Sequence, residues 1–167
     1  MKLLTPLLAL ILAAASPAFA QSGAPASSSG PVVAVQVLSP VQIVQGGQAM
    51  ALIKVSVAPG YHVQANPASQ PNYVATKVEI LGGNGLTVGP SLYPKGKPYA
   101  PADGGETLSV LDGAFSIQTL MKTVSGAKAG PRSVAGTLRY QACDAKACLF
   151  PQSLNFNVPV NVITKAK

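Results

Sequence analysis

Two residues of this 167-residue chain carry a thiol, Cys143 and Cys148, and they stand five positions apart near the C-terminal end. They can form one intramolecular disulfide. Closing so short a loop stabilises a fold by only about 2 kcal/mol through chain entropy, against about 4.7 for a loop of a hundred residues. The pair is therefore better suited to interconvert between dithiol and disulfide than to staple a fold. Core disulfides of immunoglobulin-like domains cross between two sheets, which this spacing does not allow. Three readings stand side by side. The pair is redox-active, or it is an inert bridge in an exported binding domain, or its thiolates join His62 and a methionine around a soft ion such as copper(I). For the last, the chain beyond its start offers only Met50 and Met121, far apart in sequence, and no Cys/His motif of zinc spacing. Lys146 favours a thiolate and Asp144 opposes it. With one histidine and no Gly-x-Ser-x-Gly, Gly-rich phosphate loop or suitably placed carboxylate pair, the sequence lacks the residues of a hydrolase or nucleotide enzyme.

The redox reading depends on compartment. Lys2, an apolar run over residues 3–15 and the small-x-small site Ala18-Phe19-Ala20 predict a secretory signal peptide over residues 1–20, cleaved after Ala20. No later stretch is long and apolar enough for a membrane span, so no stable membrane insertion is expected. In an oxidising compartment a close cysteine pair exists mainly as a disulfide. One disulfide cannot build a scaffold, so the fold must rest on an apolar core of one domain. Twelve Lys plus Arg stand against five Asp plus Glu. The cations are spread along the chain rather than clustered on a phosphate track, which fits a solvated surface and not a nucleic-acid partner.

The elements that must position the cysteines read as β throughout. Residues 21–30 form a Gly/Ser/Pro/Ala linker, and a single domain is expected over residues 31–167. Residues 32–38 are a β-branched run. Ala51, Ile53, Val55 and Val57 alternate with Leu52, Lys54 and Ser56, and Val74, Thr76, Val78 and Ile80 alternate with Ala75, Lys77 and Glu79. Residues 114–121, 134–142 and 154–163 follow the same habit. Pro159 predicts that the last strand is at an edge or that its amide side there faces out. Turn signals fall at Gly46-Gly47, Pro59-Gly60, residues 82–85, Gly104-Gly105, Asp112-Gly113 and Gly130-Pro131. No helical stripe competes. The expected fold is all-β, an immunoglobulin-like antiparallel β-sandwich, with a small closed barrel as the competing architecture. Residues 91–106, rich in Pro and Gly, read as a long irregular loop of the kind that often covers a site. If Leu138, Tyr140 and Ala142 face the core, strand parity makes Cys143 face out or begin the turn.

Several pieces in order carry a family resemblance. They are Pro59-Gly60-Tyr61-His62 with Asn66-Pro67 behind it, the strand at residues 74–81, Tyr93-Pro94, and Tyr140-Gln141-Ala142-Cys143 with Cys148 and Pro151. Over residues 32–162 the chain resembles the N-terminal periplasmic domain of the thiol:disulfide interchange protein DsbD. The resemblance implies a periplasmic immunoglobulin-like domain whose cysteine pair, Cys143 and Cys148, sits on a hairpin under a cap loop and needs no cofactor. It implies thioredoxin-like partners that receive electrons and, because no membrane conduit follows in this sequence, a separate membrane thiol protein that donates them. A monomer is expected. By position Tyr93 opens the cap loop and Tyr99 lies within it. Asp103 or Glu106 stands where the family has acidic residues beside the cysteines, and His62 falls near an aromatic position. Cys148 is the expected attacking thiol and Cys143 the resolving one. The chain departs from the family in having one residue fewer between the cysteines, and no aromatic within residues 103–106.

Overall fold

A computed structural model describes residues 30–102 and 104–166. The expected signal peptide, its cleavage after Ala20, nearly all of the linker, and Asp103 lie outside the described residues. Among these residues every regular element is a strand. In order they are β1 (Val33–Val37), β2 (Val41–Val44), β3 (Gln48–Val57), β4 (His62–Gln64), β5 (Lys77–Ile80), β6 (Leu86–Leu92), β7 (Lys97–Tyr99), β8 (Leu108–Leu111), β9 (Ala114–Thr123), β10 (Gly130–Tyr140), β11 (Ala142–Cys143) and β12 (Gln152–Ile163). They make three four-stranded sheets, ordered β1-β3-β9-β6, β2-β12-β10-β5 and β11-β4-β8-β7.

The first two sheets form the sandwich, as the alternation predicts. Ile53 and Val55 of β3 and Ile117 and Met121 of β9 are buried from one side; Leu138 of β10 and Val158 and Val160 of β12 are buried from the other, and all belong to one apolar cluster. The outward neighbours Leu52, Lys54, Gln118 and Asn157 are exposed or partly so, which is the period-2 pattern of a sheet with one wet face. Every named pairing is antiparallel except β2 with β12, which is parallel from Val160 to Ile163. That pairing begins immediately after Pro159, so the flank of β12 at Pro159 is an edge, where a residue without an N–H is tolerated.

The third sheet caps one end of the sandwich and carries the cysteines. Its strands continue those of the other two sheets. β4 follows β3 across Pro59-Gly60, β8 leads into β9 across Asp112-Gly113, and β11 follows β10 after one residue.

Four expectations are corrected. The strand expected from Val74 begins only at Lys77, because the amide of Val74 is taken by the Gln141 side chain and that of Thr76 by the Gln64 carbonyl. Gly130 and Pro131 are not a turn but the start of β10, paired with Val162 and Asn161; the turn lies earlier, at Ser125-Gly126. The stretch 91–106 is not irregular throughout, since it contains the end of β6 and all of β7, which pairs with β8. The strand expected to run to Ala142 stops at Tyr140 and resumes in a different sheet.

Candidate functional site

Cys143 and Cys148 are joined by a disulfide, S–S 2.02 Å, with their Cα atoms 3.9 Å apart across a β-bridge. The tight hairpin between them is organised by Asp144. Its Oδ1 accepts from the backbone N–H of Lys146 at 2.7 Å and of Ala147 at 2.8 Å, and its own N–H donates to the Ala147 carbonyl. These two backbone donors hold the Asp144 carboxyl below its ordinary pKa. Below the bridge the Leu149 N–H donates to the Ala142 carbonyl at 2.8 Å.

The two cysteines differ in access. Cys148 is exposed, whereas Cys143 is 2% exposed. Of the two placements that strand parity allows for Cys143, the outward one is thereby corrected, whereas Cys143 does stand where the hairpin turn begins. The ladder breaks at Gln141, where the chain leaves the second sheet for the third, and its carbonyl accepts from the Gln64 N–H. With the alternation interrupted, Tyr140, Ala142 and Cys143 are all buried. The Gln141 side chain braces the joint by accepting from the Val74 N–H at 2.9 Å and donating to the Leu149 carbonyl at 3.3 Å.

Strand β4 supplies the groups facing the inner sulfur. His62 lies directly opposite Cys143 in the register, and Gln64 lies two residues on. Opposed and alternate residues of a sheet share a face, so the three side chains sit together. Gln64 Nε2 is 3.8 Å from Cys143 Sγ. The imidazole of His62 is 6% exposed and packs against Tyr99 of β7, with ring centroids 4.1 Å apart and planes tilted by 38°. Burial pushes the His62 pKa down; Asp112 and Asp144 pull weakly the other way. His62 is accordingly a neutral imidazole at neutral pH. Two buried polar atoms here lack any partner, His62 Nε2 and Gln64 Oε1.

A cleft of about 490 Å³ opens beside the disulfide, between the cysteine hairpin and a wall formed by His62, Tyr73, Tyr99 and Glu106. Glu106 accepts a hydrogen bond from Gln70 Nε2 at 2.6 Å, which ties the segment after β7 to the segment after β4. Of the residues expected beside the cysteines, the structure thus assembles His62, Tyr99 and Glu106. Tyr93 is elsewhere. Its hydroxyl accepts from the Val78 N–H at 3.0 Å and its ring packs on the core. Gln64, Gln70, Tyr73 and Gln141 line or brace the site without having been singled out for a role. Gln141 stood inside the Tyr-Gln-Ala-Cys motif, which was a usable signal. Gln64 gave none, because a glutamine beside Val63 looks like a solvent-facing strand position.

The copper set is not assembled. Both thiols are engaged in the disulfide. Met50 pairs with Leu120 six positions up β3 from Ser56, roughly 20 Å along the ladder from its site end at 3.3–3.4 Å per residue. Met121 is fully buried in the core. Among the described residues no group of three or more His, Cys, Asp or Glu could hold a metal ion. Among the same residues no helix is long and apolar enough to cross a membrane.

No known family profile and no curated protein matches the sequence. Solved structures do match. The N-terminal periplasmic domain of ScsB from Proteus mirabilis aligns with a TM-score of 0.52 at 17% identity, over 75% of this chain and 44% of that one. The chain therefore spans less than half the length of that structure. The reduced N-terminal domain of Neisseria meningitidis DsbD aligns at TM-score 0.44 and 17% identity, over 77% of this chain and 85% of that one. The likeness to the ScsB domain establishes the fold, an all-β immunoglobulin-like sandwich.

Proposed function

We propose that this chain is a periplasmic thiol–disulfide exchange protein, exported behind residues 1–20, whose single domain over residues 31–167 relays reducing equivalents through Cys143 and Cys148. One observation carries the reading: a disulfide that joins an exposed cysteine to a buried one at the mouth of a cleft. A structural staple has no need of an exposed sulfur, whereas exchange requires in-line access to one sulfur and protection of the other. The ScsB domain that the fold resembles is itself described as periplasmic.

In the reduced protein the Cys148 thiolate attacks one sulfur of a partner's disulfide. A Cys148–partner disulfide forms, the partner's S–S bond breaks, and the partner's second sulfur leaves as a thiolate that takes a proton. The Cys143 thiol then loses its proton, and its sulfur attacks Cys148 Sγ. The intramolecular disulfide re-forms and the partner's first sulfur leaves as a thiol. The partner gains two electrons and two protons, which the pair recovers from a second dithiol. Neutral His62, on the same sheet face as Cys143, is the proton acceptor in the second step, and Glu106 is an acidic group at the cleft, beside Asp144 of the hairpin. Thioredoxin-like proteins are the class of acceptor, a membrane thiol protein is the donor, and the chain works as a monomer.

Trapping tests this reading. The Cys143→Ala variant should accumulate mixed disulfides with periplasmic thioredoxin-like proteins through Cys148, and Cys148→Ala should accumulate few. An inert bridge would show a reduction potential below about −300 mV and no trapped partner in either variant.

A further inference from the structure

The two orphaned polar atoms lie on the sheet face shared with the buried sulfur, and they are the only such side-chain atoms among the described residues. Buried polar groups are paired almost without exception in native proteins, so a coincidence of two at one disulfide calls for a physical cause. Gln64 is fully buried. Its backbone is fixed at both ends: its N–H donates to the Gln141 carbonyl at 3.3 Å, and its carbonyl accepts from Thr76 N–H at 3.2 Å and Thr76 Oγ1 at 2.6 Å. The amide is thus held at Cys143 Sγ, with its Nε2 directed at a weak acceptor and its Oε1 facing no donor. A disulfide sulfur carries no hydrogen and cannot supply one. A thiol can.

We propose that Gln64 is a positioning residue that biases the Cys143–Cys148 pair toward the dithiol, because its buried amide oxygen finds a donor only when Cys143 carries a proton. The inference rests on the exchange reading above and names the regulation of that site. When a dithiol reductant delivers two electrons and two protons, the S–S bond breaks, the reductant closes to its own disulfide, and both cysteines become thiols. Cys143 S–H then donates to Gln64 Oε1, with Nε2 still near the sulfur. The oxidised state bears an unmade hydrogen bond that the reduced state makes. Such a deficit corresponds to roughly a tenfold bias in an equilibrium. The bias suits a reductant relay, which must release its electrons only to a partner whose disulfide is the more oxidising.

The experiment compares wild type with Gln64→Met and Gln64→Leu, which keep volume and remove both polar atoms. Two readouts are taken on the purified protein: the dithiol/disulfide equilibrium in glutathione redox buffers, and the difference in unfolding stability between the oxidised and dithiothreitol-reduced forms. Both variants should shift the equilibrium about tenfold toward disulfide, equal to about 30 mV for a two-electron couple. They should widen the oxidised-minus-reduced stability difference by the free-energy equivalent of that tenfold shift, about 1.4 kcal/mol. Thr123→Val, which removes a hydroxyl bonded to the Val44 carbonyl at 2.9 Å within the sandwich and away from Gln64, is the structural control, expected to weaken both forms alike and leave the equilibrium where it was. An unchanged equilibrium and stability difference in both Gln64 variants, or a shift toward dithiol, overturns the inference. A bridge inert to glutathione, with the widening still present in the stability data, would sink the exchange reading and uphold the role of Gln64.

Discussion

Cys143 and Cys148 are chemically identical groups made unequal by burial, and the residues around them differ in the same way. His62 and Asp144 are each held below their ordinary pKa, for different reasons. Burial disfavours the charged imidazolium of His62, while two backbone N–H groups favour the charged carboxylate of Asp144. For both groups the unfolded chain binds a proton at a pH where the folded chain does not, so both make stability rise with pH. The His62 contribution is lost as pH falls below about 6.5 toward its lower folded value, and that of Asp144 as pH falls below about 3.9 toward its own. Urea unfolding of the oxidised protein should therefore show two separate losses on acidification. His62→Phe, which keeps the ring against Tyr99, should remove the first, and Asp144→Ala should shrink the second, leaving the share of Glu79, whose carboxylate Lys77 also holds below its ordinary range. His62 is the one histidine in the chain, so no other side chain ordinarily titrates in the upper window. An unchanged slope between about pH 7 and pH 5 in His62→Phe would mean that burial does not govern this group.

Strand β7 is short, yet it places Tyr99 over His62, and its seat depends on Gly96. A Cβ on Gly96 would collide with Ser109 Oγ, lie 2.8 Å from Ala65 Cβ and come within 3.2 Å of the Ser109 carbonyl carbon. Gly96→Ala must push β7 off β8, at an overpacking cost of about 1–3 kcal/mol. It should also speed reduction of the disulfide by dithiothreitol severalfold, since Tyr99 lines the cleft beside it. Gly126→Ala, with nothing within 4 Å of the added carbon, is the control. A Gly96→Ala protein with wild-type stability and reduction rate would refute the placement of β7. This strand also shows where the sequence was legible and where it was not. β3, β9 and β12 are long and wet on one face, so their alternation was plain in the sequence. β7 is three residues with a proline in the middle, which reads as loop. β4 is buried at all three positions, so it lacks the alternation that reveals a half-buried strand. The inward turn of Cys143 was illegible for a related reason: parity holds only within one ladder, and the ladder changes at Gln141. The cysteine pair, His62, Tyr99 and Glu106 could be named because composition and motif order mark them. Gln64 could not, since its importance arises from a register that only the folded chain sets.

At the scale of the molecule, the site sits at one end of the core, joined to it through Val63, Leu111 and Ala142 of the third sheet. The apolar cluster is built chiefly from the sandwich sheets, and its largest fully buried side chains include Ile43, Ile53, Ile117, Met121 and Leu138. The disulfide closes a hairpin at the end of the third sheet and ties together no two parts of that cluster. The bridge can therefore open without threatening the fold, which an exchange protein requires at every turnover. Reduction, or the double variant Cys143→Ser/Cys148→Ser, should lower unfolding stability by about 2 kcal/mol, the loop-entropy value for so short a closure. Gln64 should make the loss on reduction smaller than the loss in the double variant, because a serine hydroxyl is shorter than a thiol and reaches Oε1 less well. The far-ultraviolet circular dichroism and the cooperativity of unfolding should be the same in all three forms, since the sandwich strands β3, β9, β10 and β12 make no bond to the hairpin sulfurs. Loss of cooperative unfolding on reduction would show that the bridge holds the fold together. The pair would then be a staple, because a domain that melts when its disulfide opens cannot present a reduced Cys148 to any partner.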